Sequence, residues 1–128
     1  MKKLLFAGAF LFLAPGAASA ADMSGAWTVN GAFDAMGITY TLTCTLAQDA
    51  TGKLTGPCTP AGAAAAGDPV NATGQVGADG KSLEFAYDTT YQGSPVHLDY
   101  KGDVQADGSL KGTIDAGAVQ GTFTATKK

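Results

Sequence analysis

Ile38-Thr39-Tyr40-Thr41-Leu42-Thr43-Cys44-Thr45-Leu46 alternates apolar and polar residues without a break. A period of two over that length puts every apolar side chain on one face of an extended strand and every threonine on the other. Threonine is β-branched and suits the pleated, half-solvated face of a sheet. The stretch therefore predicts a strand that is wet on one side and dry on the other.

Outward from it, the same alternation recurs in eight segments: Gly25 to Phe33, Ile38 to Gln48, Leu54 to Cys58, Val70 to Val76, Leu83 to Tyr87, Val96 to Val104, Leu110 to Ile114 and Val119 to Ala125. No helical stripe interrupts them. Ala63 to Ala66, flanked by Gly62 and Gly67, is too short to propagate a helix and reads as a loop. Ala78-Asp79-Gly80, Ala106-Asp107-Gly108 and Asp115-Ala116-Gly117 each offer Gly where a hairpin needs a left-handed residue. The first two belong to an internal echo, Gly74 to Gly80 against Gly102 to Gly108. Connections this short join neighbouring antiparallel strands, which makes an up-and-down meander.

Parity separates the faces. Trp27, Val29, Tyr40, Leu42, Cys44, Leu54, Cys58, Phe85, Tyr87, Leu98, Tyr100, Ile114 and Phe123 fall on one side; threonines, Glu84, His97, Asp99 and Lys101 fall on the other. The predicted fold is all-β, an eight-stranded antiparallel up-and-down barrel, because closure removes exposed strand edges. Gly31, Gly56, Gly74, Gly102, Gly112 and Gly121 lie on the apolar side, where they permit sharp coiling; Gly74 is expected opposite Phe85. A barrel of eight strands is either filled by side chains or holds one small ligand, and strand count leaves that open.

The chain has 128 residues with eight Lys, no Arg and a net charge of -3. Lys2 and Lys3, the apolar stretch Leu4 to Ala14 and Ala18-Ser19-Ala20 form a secretory signal pattern, with cleavage expected after Ala20. That apolar stretch is far below the roughly 20 residues of a spanning helix. A single barrel domain over 21–128 follows, exported to the periplasm or medium of a bacterium, with six Lys against eleven acidic residues. Without Arg or a basic cluster, a nucleic-acid partner is not expected. Cys44 and Cys58 bracket the turn-like Asp49-Ala50-Thr51-Gly52-Lys53; a hairpin closed there sets them directly opposite each other, and a disulfide is expected.

Gly25-Ala26-Trp27 at the head of eight meandering strands resembles the lipocalin-like (calycin-type) barrels. The resemblance implies that Trp27 closes the barrel floor; the late Arg that stacks on it in that family has no counterpart here. Ser24-Gly25-Ala26-Trp27 together with Cys44 and Cys58 is also similar to the exported bacterial inhibitors of serralysin-type metalloproteases, whose N-terminal arm would here be only Ala21-Asp22-Met23.

His97 is the single histidine, expected on the outer face beside Asp99. Ser94 falls on the other side of the strand, no Gly-x-Ser-x-Gly elbow exists, and one His with Asp99 or Glu84 is a solvated surface rather than a metal site. Asp79 and Asp107 lack the ligand spacing of a calcium loop. Catalytic residues, metals and cofactors are not expected. Two functions remain. One is a noncatalytic barrel binding a small lipophilic ligand, with Trp27, Tyr40, Phe85, Tyr87, Tyr100 and Phe123 as lumen residues and the three tyrosines as the inward hydroxyls. A lumen of several hundred Å³ favours that reading and a closed core excludes it. The other is an exported protein-binding barrel of protease-inhibitor type, contacting its partner through Phe33 to Gly37, Gly62 to Pro69 and Thr89 to Pro95, with Tyr91 at the contact.

Overall fold

The computed structural model describes residues 22–61 and 68–128. The strands are β1 (Gly25–Phe33), β2 (Ile38–Gln48), β3 (Lys53–Ala61), β4 (Val70–Val76), β5 (Ser82–Tyr91), β6 (Ser94–Val104), β7 (Leu110–Asp115) and β8 (Gln120–Lys127), with a 3-10 turn at Asp34–Met36. Each pairs antiparallel with its successor, and β8 returns to β1, so the sheet closes into an eight-stranded barrel. The expected signal segment and the stretch Ala63 to Ala66 lie outside the described residues.

On β2, Tyr40, Leu42, Cys44 and Leu46 are buried while Thr39, Thr43 and Thr45 are exposed, as a period of two requires. The other strands repeat this. Among the described residues no helix is long and apolar enough to cross a membrane. The outward positions of the strands carry threonines, Lys and Asp, the reverse of the apolar belt a membrane barrel presents to lipid.

Cys44 and Cys58 are register partners on β2 and β3, 4.0 Å apart at Cα, and are joined in a disulfide. Past them the ladder lapses until Ala47 meets Thr55, around Pro57, which has no N–H to give. The echoed turns are built alike. Gly80 (φ 70°) and Gly108 (φ 88°) are left-handed, and each donates its N–H to the carbonyl three residues back at 2.9 Å.

One connection differs from the sequence reading. Thr89 to Pro95, expected as a loop, is the tip of a continuous hairpin in which Tyr91 pairs with Ser94 across Gln92-Gly93. Both turn residues have positive φ, 52° and 82°, the combination that matches strand twist in a two-residue hairpin. Tyr91 is thus a strand residue. Smaller differences are β3 running on to Ala61 and Val119 falling just outside β8.

The barrel is solid at one end. Trp27, 2% exposed, donates its indole N–H to the Met23 carbonyl at 2.8 Å, and Met23, itself buried, donates its N–H to the Gln48 side chain at 2.8 Å. The entering chain is thereby tied to the buried Trp27 and to the end of β2. Above it Val29, Leu54, Tyr100, Ile114, Phe123 and the disulfide fill the middle. Gly74 lies opposite Phe85 as expected. At Gly31 a Cβ would come within 2.8 Å of the Tyr40 hydroxyl, so the missing side chain is what lets that ring lie down across β1.

Candidate functional site

The turn Asp34–Met36, the Gln92-Gly93 hairpin and the β7–β8 connection all lie at the end opposite Trp27, because alternate connections of a meander share an end. At this end the described side chains do not meet. They surround a cavity of about 170 Å³, walled mostly by apolar groups from Phe33, Ile38, Leu42, Val96, Leu98 and Val119. Met36 and Tyr91 contribute from the strand tips. Met36 is 45% exposed, the one large apolar side chain left in solvent among the described residues.

The polar part of the wall comes from Tyr40, Tyr87, Thr89 and Thr90. Tyr40 and Tyr87 each place their hydroxyl on that of Tyr100, at 2.6 and 2.7 Å. Tyr100 is fully buried beneath them; its ring stacks on Phe85 with centroids 4.4 Å apart and takes the edge of Phe123 at 5.3 Å. The three phenols are therefore fixed by packing from below and by one another. Burial pushes all three hydroxyls above the ordinary phenol range, opposed for Tyr40 and Tyr87 by the hydrogen bond to Tyr100. All three are neutral at any physiological pH.

Of the six lumen residues expected from the sequence, Tyr40 and Tyr87 line the cavity and Tyr100 lies one layer below, its hydroxyl tying them together. Phe85 and Phe123 brace Tyr100 from within the solid core, and Trp27 is at the far end. Tyr91, expected as a contact on a loop, is half-buried on the cavity wall. Of the contact segments, 62–67 lies outside the described residues.

No family model, curated protein or solved structure matches the chain. What this barrel shares with the lipocalin-like group is thus the closed, eight-stranded antiparallel architecture.

Sequence parity did not single out Phe33, Ile38, Val96 and Val119 as wall residues. It places them on the dry face without saying at which height that face stops being filled. Signals that could have done so are the shared end of alternate connections and the run of β5 through Thr89 and Tyr91, which keeps the inward parity of Tyr87.

Outside the barrel, His97 lies opposite Asp88 on the neighbouring strand, its Nδ1 2.7 Å from a carboxylate oxygen, with Asp99 at 3.5 Å from Nε2. The hydrogen bond to Asp88 raises the imidazole pKa above its usual value, with slight burial acting the other way. Among the described residues no group of three His, Cys, Asp or Glu is placed to hold a metal ion. Lys53, Lys81, Lys101, Lys111, Lys127 and Lys128 lie in the closed half together with Asp22, Asp49, Asp79, Glu84, Asp103 and Asp107, while Asp34, Asp68, Asp88 and Asp115 lie toward the mouth without a lysine.

Proposed function

We propose that this protein is a noncatalytic, exported barrel that takes up a small lipophilic molecule through its open end. The observation that carries the reading is a mostly apolar cavity of about 170 Å³ standing over a solid, aromatic-braced core. That volume falls short of the several hundred Å³ expected of a ligand lumen, being below the roughly 300–1,000 Å³ of sites for drug-sized ligands, and is of the order of a cavity that takes a single aromatic ring. One ring or a short branched chain fits it. Burial of apolar surface, at about 25 cal/mol per Å², supplies the affinity. Support for a noncatalytic role comes from the wall itself, whose polar groups are neutral phenols and threonines, with His97 on the outer face. Export is supported by the disulfide and by the signal-like leader.

The test is an NMR titration of the chain from Ala21 with ethylbenzene. Saturable shifts at Phe33, Ile38, Val96 and Val119 are expected; shifts scattered over the surface, or none, overturn the proposal.

The inhibitor-type reading has one observation in its favour: exposed Met36 and the Tyr91 hairpin share the open end, so two of the expected contact segments form one rim. A pull-down against periplasmic and secreted proteases, with a metalloprotease inhibition assay, decides it.

A further inference from the structure

The three phenols at the cavity floor carry more hydrogens than they use. Each hydroxyl has one proton to donate, and between them the described residues show two hydrogen bonds, Tyr40 to Tyr100 and Tyr87 to Tyr100. Two bonds consume two protons. Tyr40 and Tyr87 are not within hydrogen-bonding geometry of each other, so the three hydroxyls form an open chain and one O–H is left over whichever way its donors run.

The leftover proton has three places to be. If Tyr100 accepts from both neighbours, its own O–H is stranded in the fully buried layer, which leaves a donor without a partner and is the costly arrangement. In the other two, Tyr100 donates to one neighbour and accepts from the other, and the spare O–H sits on Tyr87 or Tyr40. Both line the cavity, and both are more than nine-tenths buried, at 4% and 8% exposure. The relay thus presents its unused donor to whatever occupies the cavity, from Tyr87 or, by reversing both bonds, from Tyr40.

We propose that the tyrosine relay selects the ligand: a compact lipophilic molecule bearing one neutral hydrogen-bond acceptor, such as a ketone, ester or ether oxygen, seated on the Tyr40–Tyr87 pair. This rests on the cavity being the binding site. A carboxylate is excluded by two features. The described residues of the cavity wall include no cation to compensate a desolvated charge, and the exposed acidic side chains at that end, Asp34, Asp68, Asp88 and Asp115, oppose its approach. A pure hydrocarbon is accepted by the walls but leaves the donor unmatched.

Three probes of nearly one shape separate these cases: ethylbenzene, acetophenone and benzoate. Binding to the chain from Ala21 is measured by calorimetry and NMR, beside the variant Tyr40→Phe/Tyr87→Phe/Tyr100→Phe, which removes all three hydroxyls together and so strands none. Because acetophenone is better hydrated than ethylbenzene, the readout is the ratio of their dissociation constants in each protein. The triple variant is expected to shift that ratio about tenfold against acetophenone, the worth of one good hydrogen bond, with ethylbenzene affinity held or improved. Benzoate is expected to bind at least about a hundredfold more weakly than acetophenone. An unchanged ratio, or benzoate binding on a par with acetophenone, overturns the relay as selector while ethylbenzene binding upholds the cavity. If ethylbenzene and acetophenone both fail to bind either protein, the cavity itself falls. Should the triple variant not fold, the unaltered protein carries the comparison: α-methylstyrene has the shape of acetophenone without its acceptor, and a loss of affinity for acetophenone as large as its better hydration predicts overturns the relay as selector.

Discussion

A buried phenol is costly when its hydroxyl is alone and nearly free of cost when it is shared, so the tyrosine relay makes a sharp prediction about stability. Tyr40→Phe with Tyr87→Phe leaves the Tyr100 hydroxyl buried without a partner and is expected to lower unfolding free energy by about 1–3 kcal/mol. Adding Tyr100→Phe removes the orphan and is expected to recover most of that loss, a reversal by a third substitution that urea denaturation of the two variants checks. His97 makes the opposite case, a polar cluster in water. Its imidazole is expected to titrate above 6.5, and Asp88→Asn to bring the midpoint down, as followed by NMR of the ring protons. Since the folded value exceeds the unfolded one, protonated His97 adds stability below about pH 6.5, and that contribution is lost as pH rises through the folded value. Exposure of the pair keeps the contribution small.

At the scale of elements, the hairpin β2–β3 is where sequence and structure agree most closely, and the reason is arithmetic. A strict period of two with a short turn fixes the register, and register alone sets Cys44 against Cys58. Replacing both by Ala is expected to cost about 3 kcal/mol from the loop closed over a separation of 14 residues, with some further loss because both positions are fully buried. Thermal unfolding with and without reductant, set against the double variant, measures it. The β5–β6 hairpin was less legible. Gly93 and Pro95 punctuate the sequence as a loop would, and Gln92 is an uncommon residue at positive φ, so the two-residue turn carries no Asn-Gly signature. Yet Thr89 and Tyr91 keep the inward parity of Tyr87, and it is this overrun of the strand that raises the cavity wall. The convergence of Tyr40 on Tyr87 and Tyr100 was equally out of reach. Parity places all three on the dry face, but Tyr40 belongs to β2 and the others to β5 and β6, and they meet only because the sheet closes.

The whole molecule is polar along its axis, with Trp27, Met23 and every described lysine in one half and the cavity with its acidic surroundings at the other. The two ends should accordingly respond in opposite ways to mutation. Trp27→Ala opens a hole in the filled end and is expected to cost about 3–5 kcal/mol. Val96→Phe adds a ring where space already exists, on the cavity wall beside Thr89, and is expected to raise stability by about 0.5–2 kcal/mol. The gain should come with loss of ethylbenzene binding, since the added ring occupies the ligand's volume. Urea denaturation and calorimetry on the same Val96→Phe sample read both. If the variant is less stable, the mouth is already packed; if it is more stable and still binds, the ligand sits elsewhere. Stability rising as binding falls is the signature of a cavity kept open for a ligand.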